Sequence, residues 1–316
     1  MHVTANSQPS TVDLTEPAKN HRALISVYSI DLCEADRILV QCHPQYTHHS
    51  AFPQNRDNVD YEVVTHMEKR RIATIQSFDF QRHNLTEGPY LLSDKNWREN
   101  VSEYIVDELQ TSKEDISGKS VLDCGCGSGR WSYGFEKLGC RVHGFDTSLN
   151  GIEYAREHVA GRFDVANILD TKSLLSLYKE NSFDIVWCWG VLHHTGDPKK
   201  AFDNIARFVK HGGILHVYLY GKKGLGNRLL RFVFNRFDFE TRVRLARTVS
   251  AINHSSVHSN FDGLSPPLAS QHSEREIEEW FRSDGFTFKR TRPNWASHSR
   301  DLFVTGVKTT HQVSVG

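Results

Sequence analysis

The chain has 316 residues, enough for one large domain or one domain with a substantial accessory region, and 24% are charged and 38% apolar, values a packed globular protein can have. Lys plus Arg equals Asp plus Glu at 38 each, so global charge gives no reason to expect a nucleic-acid or acidic-surface partner. No apolar run reaches roughly 18 residues, so no transmembrane helix is expected. The N-terminus lacks the basic start and apolar core of a secretion signal, which predicts a cytoplasmic protein.

Residues 1–22 are polar and turn-rich and are expected to be disordered. Residues 23–92 read as an N-terminal extension. In it "ALISVYSIDL" suits a strand, and "YEVVTHMEKRRIATIQSF" suits a helix carrying Val63, Val64, Met67, Ile72 and Ile75. "SDKNWRENVSEYIVDELQ" predicts a second helix, capped by Ser93 or Asp94, with Trp97, Val101, Ile105 and Leu109 at helical spacing.

From Lys119 the rhythm is regular. "SVLDCG" reads as a strand, "RWSYGFEKLG" as a helix closed by Gly139, "RVHGFD" as a strand and "SLNGIEYAREHV" as a helix capped by Ser148. "RFDVANILD" carries a third strand. "SFDIVWCWG" is a fourth, nearly continuous in apolar residues, as in a strand buried on both faces. A helix opening at Asp197–Pro198 is expected to run to "HGG", and "ILHVYLY" to form the fifth strand. Strands alternating with helices imply right-handed parallel crossovers, hence a doubly wound α/β sheet over residues 93–220.

Residues 221–272 break this rhythm. Between Gly221 and Ser250 there are eight basic residues (Lys222, Lys223, Arg228, Arg231, Arg236, Arg242, Arg244, Arg247) against Asp238 and Glu240, interleaved with Leu229, Leu230, Phe232, Val233, Phe234 and Phe237. This pattern suits a basic amphipathic cap, for an anionic acceptor, an RNA backbone or a lipid surface, or else a solvated lid packed on the sheet. Residues 273–308 return to the core pattern. Ser273 and Glu276 form a capping box ahead of a helix, and "FTFKRT" and "DLFVTGV" read as strands joined too closely for a helical crossover, hence antiparallel. Residues 309–316 form a tail.

The chemistry concentrates in "VLDCGCGSGR". Gly125, Gly127 and Gly129 permit close approach of a ligand to the backbone, at the carboxyl end of the first strand. Asp146, nineteen residues after Gly127, ends the second strand where a carboxylate can accept from both ribose hydroxyls. Together they predict an adenosine-containing cofactor. A dinucleotide fingerprint wants a small residue where Arg130 stands, and the lysine of a phosphate-binding loop is missing. Cys124 and Cys126 lack the second Cys or His pair of a zinc site. All six cysteines (Cys33, Cys42, Cys124, Cys126, Cys140, Cys188) read as reduced thiols, and no metal site is expected.

With "VHGFDTS", "SFDIVWCWGVLHHTGDP" and "ARFVKHGGILHV", the glycine loop resembles the successive motifs of class I S-adenosylmethionine-dependent methyltransferases, and among them the ubiquinone- and menaquinone-biosynthesis type. The resemblance runs from about Lys119 to Tyr220 and resumes in the last helix and two strands. It implies a seven-stranded, mostly parallel, Rossmann-like sheet with an antiparallel last strand, in agreement with the strand pattern. It also implies S-adenosylmethionine as cofactor. Asp123, Gly125, Cys126, Gly127 and Gly129 would then hold its methionine end, Asp146 and Thr147 its ribose, and Asn167 and Ile168 its adenine. Trp189, Gly190 and Val191 would line the methionine portion. Asn167 stands where many family members have aspartate, but its amide oxygen still accepts hydrogen bonds.

Methyl transfer to an oxygen or neutral nitrogen gains from a base, and His193 and His194 follow the fourth strand. His216, Tyr218 and Tyr220 share one face of the fifth strand, where core packing competes with function. Tyr90, Tyr220, His254 and His272 are candidate acceptor contacts, and Phe78, Phe80 and Tyr90 candidate lid residues. The expected partner is a small-molecule acceptor; tRNA is the alternative partner, a non-catalytic scaffold the alternative role, and a homodimer is compatible with the sequence.

Overall fold

The computed structural model describes residues 66–84, 94–222, 225–254, 256–292 and 301–309. The readings made for residues 1–22, for the strand at Ala23–Leu32, and for Cys33, Cys42 and Tyr90 lie outside the described residues.

The core is a seven-stranded sheet. Its strands are β1 (Ser120–Cys124), β2 (Arg141–Asp146), β3 (Gly161–Val165), β4 (Phe183–Trp189), β5 (Val209–Leu219), β6 (Lys289–Arg290) and β7 (Leu302–Val307), in the order β3-β2-β1-β4-β5-β7-β6. The first five pair in parallel, and β7 enters antiparallel between β5 and β6. Strand order reverses at β1, so the ends of β1 and β4 flank the crevice where such sheets bind ligands.

Both faces of the sheet are covered. Helices α2 (Lys95–Leu109), α4 (Arg130–Lys137) and α5 (Leu149–His158) share one core with Val121, Ile185 and Trp187. Helices α6 (Thr171–Leu177), α7 (Pro198–Ala206) and α11 (Glu274–Ser283) share the other with Leu122, Val186 and Cys188. Neighbouring residues of one strand thus feed opposite cores, which is why β1 and β4 read as continuous apolar runs. The predicted caps form: Asp94, Ser148 and Asp197 each accept a backbone N–H, and Ser273 and Glu276 close a capping box. The short α3 (Lys113–Ile116) leads into β1.

The structure departs from the expected pattern in three places. The helix from Pro198 ends at Ala206, because His211–Gly213 belongs to β5, whose register slips between Phe183–Val209 and Ile185–Ile214. Gly212 takes φ +74° and a Cβ on Gly213 would sit 2.9 Å from the Lys210 oxygen, so this glycine pair forms a bulge and not a helix end. Helix α6 was not foreseen; Asp170 caps it. Of "FTFKRT", only Lys289–Arg290 joins the sheet as a strand.

The break after β5 is helical: α8 (Leu225–Phe234), α9 (Phe239–Asn253) and α10 (Val257–Leu264). Phe234, Ala246, Phe261 and Leu264 form a small core, to which α1 (His66–Asn84) adds Phe80. Arg242 is buried within it, and its guanidinium donates to the carbonyls of Phe237, Asn235 and Ser265 and to the Ser265 hydroxyl. A buried charge needs that satisfaction. Among the described residues no helix is long and apolar enough to cross a membrane.

Candidate functional site

The loop between β1 and α4 is built on positive-φ glycines: Gly125 at 76°, Gly127 at 57° and Gly129 at 83°. A Cβ on Gly125 would lie 2.3 Å from a Val191 methyl, so this glycine also lets the loops after β1 and β4 meet. The N–H groups of Gly125 and Cys126 both reach the Phe145 carbonyl, at 2.8 and 3.0 Å. The loop is therefore bound to the end of β2.

Asp146 completes that bond. One carboxylate oxygen accepts from Gly127 N–H at 2.9 Å and the other from Ser148 N–H at 2.8 Å. The structure thus joins the two sequence signals, glycine loop and acid, in one contact. A carboxylate offers about four acceptor positions, and these two backbone bonds fix its orientation at the carboxyl end of β2. This fits a ribose.

Asp123 lies under the loop rather than in the crevice. It is 1% exposed, and Ser132 of α4 donates to it at 2.6 Å. Burial pushes its pKa up to about 7, and the nearby charge of Asp146 adds to this, while the Ser132 hydrogen bond opposes it. Its carboxyl supports the loop, so any contact from this position to a ligand runs through the backbone. Cys126 is buried as a small side chain against β2, and Arg130 lays its guanidinium 4.2 Å from the Trp97 ring and 4.6 Å from that of Trp131.

After β3, Asn167 is exposed, and its amide oxygen accepts from Leu169 N–H at 2.9 Å. Ile168 is buried, and its carbonyl receives the Asn204 amide at 2.8 Å. Thr147 is half-buried beside Asp146. After β4, Trp189 is half-buried, Gly190 takes φ +76°, and residues 192–194 make one 3₁₀ turn that buries both histidines.

His193 stacks on Tyr220, with ring centroids 3.8 Å apart. His194 meets the edge of Phe78 from α1 at 5.0 Å, and its Nδ1 stands 2.6 Å from the Leu268 carbonyl oxygen. A carbonyl can only accept, so Nδ1 carries the proton and Nε2 holds the lone pair. Nε2 is buried with no hydrogen-bond partner among the described residues. Burial pushes the pKa of His194 down to about 3, so the ring is neutral at physiological pH.

Leu268 belongs to a strap, residues 263–272, tied across the site. Arg70 donates to the Pro267 carbonyl at 2.7 Å, Thr74 receives Leu268 N–H at 3.1 Å, and Arg231 donates to the Gly263 and Pro266 carbonyls. Ser270 N–H reaches the His193 carbonyl at 2.8 Å, and His272 N–H reaches that of Tyr220 at 2.9 Å. The His272 ring is held on both sides, by the Ser270 hydroxyl at 2.7 Å and Glu276 at 2.9 Å. His193, His194, Tyr220 and His272 therefore form one cluster.

His254 stands outside that cluster, exposed at the left-handed C-cap of α9. Phe80 packs on Phe239 in the insertion core, so of the described lid candidates Phe78 alone reaches the histidines. His216 is a core residue, stacked on Trp187 at 4.2 Å and bonded to the Thr305 hydroxyl at 2.8 Å. Two participants carried no signal in the sequence. Asp79 of α1 accepts from the Ser148 hydroxyl at 2.6 Å, beside Asp146, and Leu268 acts through its backbone.

Residues 122–217 match the family profile described as a methyltransferase domain. Over 111 residues the chain is 33% identical to a ubiquinone biosynthesis O-methyltransferase of Proteus mirabilis (strain HI4320), covering 35% of this chain and 44% of that one. The enzyme of the same name from Alkalilimnicola ehrlichii is 36% identical over 99 residues, covering 31% and 40%. The chain thus matches less than half the length of these curated relatives. The solved structure of magnesium protoporphyrin IX methyltransferase from Synechocystis PCC 6803 aligns over 76% of this chain and 98% of that one, at 18% identity and a TM-score of 0.49.

Proposed function

We propose that this chain, whose residues 122–217 form a class I S-adenosylmethionine-dependent methyltransferase domain, transfers a methyl group from S-adenosylmethionine to an oxygen of a small-molecule acceptor. The observation that carries the reading is the Asp146 carboxylate, bonded to Gly127 of the glycine loop and presented at the switch point of the sheet. It orients an acceptor of hydrogen bonds for a ribose, while Gly125, Cys126, Gly127 and Gly129 offer backbone without bulk. Thr147, Asn167, Ile168, Trp189 and Gly190, at the carboxyl ends of β2, β3 and β4, would flank the same cofactor. S-adenosylmethionine, when bound, supplies a methyl group already activated by the sulfonium.

The chain's own part is then to orient the acceptor, exclude water and take its proton. His194 is suited to the last task. Its Nε2 lone pair is fixed by the bond at Nδ1 and lies in a dry setting. A base held neutral by burial is weak toward a free hydroxyl. Toward an oxygen that is gaining a methyl group it is strong enough, because a protonated ether is a far stronger acid than an imidazolium. Nε2 thus accepts the hydroxyl hydrogen bond at the start and the proton late in the step. Phe78 and the 263–272 strap shield this ring from water.

The test is incubation of the chain with methyl-labelled S-adenosylmethionine and a metabolite extract. Label should pass to a small, extractable product as a methyl ether. Label retained on RNA would support the tRNA alternative, and no cofactor binding would leave a scaffold.

A further inference from the structure

We propose that the outer face of α8 is a docking surface for an anionic lipid membrane. The inference rests on this surface and is independent of the methyl-transfer reading.

Two inward contacts fix how α8 is rotated. Phe234 is 1% exposed in the insertion core, and Arg231 donates to the Gly263 and Pro266 carbonyls of the strap. The opposite face follows by helical spacing: Leu229, Phe232 and Val233 fall on one stripe, three and four residues apart, and Arg236 follows just beyond the helix end. That stripe is apolar yet turned outward. Leu229 is 64% exposed, Phe232 57%, Val233 44% and the following Phe237 41%. A helix anchored on its polar-bonded side, with its large apolar side chains outside, does not complete the core; it offers them to something else.

Charge selects the occupant. Residues 221–250 hold eight basic residues against two acidic ones. Arg231 and Arg242 spend their charge on internal carbonyls; of the others, Lys222, Arg236, Arg244 and Arg247 are exposed among the described side chains, against exposed Asp238 and Glu240. Arg236 lies 4.4 Å from the Phe232 ring centroid, so a guanidinium borders the apolar stripe directly. An apolar stripe with a cationic margin matches acyl chains beneath anionic headgroups. A second copy of the chain would set the same cations against each other. A nucleic-acid backbone would find Leu229 and Val233 where it needs cations.

The test is co-sedimentation of the full chain with vesicles of mixed phosphatidylglycerol and phosphatidylcholine, and with phosphatidylcholine alone. Recovery on the anionic vesicles should be about tenfold higher and should fall as salt is raised. Leu229→Ser with Phe232→Ser should abolish it, with an unchanged circular dichroism spectrum and melting temperature. Arg236→Glu with Arg244→Glu carries the same test through exposed positions and should reduce binding about as much. Equal recovery on both vesicles, full binding by either double variant, or a dimer dispersed by the serine variant without any vesicle binding would each overturn the proposal.

Discussion

The Nδ1 of His194 stands 2.6 Å from the carbonyl oxygen of Leu268, 74 residues further along the chain. That contact sets the tautomer of a ring at the end of β4 by means of a strap that follows the insertion. It joins the part of the chain that holds the glycine loop to the part that caps it. Arg70, Arg231 and Thr74 tie down the strap that carries this carbonyl.

If His194 takes the acceptor's proton, His194→Ala should lower kcat by about a hundredfold to ten-thousandfold, the usual range for a lost general base, while leaving S-adenosylmethionine affinity within about twofold. The check is calorimetry beside turnover. Equal losses in both would make the residue structural. In wild type, a pKa of about 3 puts the acid limb from this ring well below pH 6, so its contribution to kcat should be flat from pH 6 to 8.

Asp146→Ala should weaken cofactor binding by about tenfold to a hundredfold or more, since each hydrogen bond to a charged acceptor contributes about 1.5–3 kcal/mol. It also releases the Gly127 and Ser148 N–H groups, so the loop loses its tie. Asp146→Asn keeps one acceptor oxygen and should fall in between. Titration with S-adenosylmethionine and its demethylated product reads both.

Gly125→Ala places a methyl 2.3 Å from Val191 at a φ of +76°. The backbone strain alone costs about 1–3 kcal/mol, and the clash adds to it. The melting temperature should drop by several degrees. Val191→Ala in the same chain should recover the steric part and leave the backbone part, so the double variant should melt between Gly125→Ala and wild type.

Stability against pH should show two opposed contributions. His194 and His216 are both pushed down to about 3, chiefly by burial, with Arg231 adding to the shift at His194 and Arg292 at His216. Between pH 3 and about 6.5 the unfolded chain binds protons at these sites and the folded chain does not, so stability is complete above about 6.5 and falls as pH drops. Asp123, pushed up to about 7, works the other way. The folded chain keeps that proton from pH 4 to 7, so its contribution is complete below about 4 and is lost as pH rises through 7. Asp123→Asn should therefore gain stability relative to wild type as pH rises from 4 to 8, and the gain should vanish as pH returns to about 4. Denaturant melts at pH 4, 6 and 8 separate the two signs.

The sheet was legible because its central strands are buried on both faces and their helices carry ordinary caps at Asp94, Ser148, Asp197 and Ser273. The glycine loop and Asp146 were legible because their backbone and charge requirements leave a local mark. The bulge at His211–Gly213 was not, since a glycine pair after a helix looks the same as a helix end until the register of β4 against β5 is known. Asp79 and Leu268 left no mark either. Asp79 is one of two acids on α1 with no motif around it, and Leu268 contributes a carbonyl that any residue would have. The roles of His193 and His194 depend on the strap, which the sequence presents only as a Pro- and His-bearing loop.

The most direct test of the account is isothermal titration of the wild-type chain and of Asp146→Ala with S-adenosylmethionine. The account predicts one site per chain in the wild type and binding weakened by at least about tenfold in the variant. No binding by the wild type, or equal affinity in both, would contradict it.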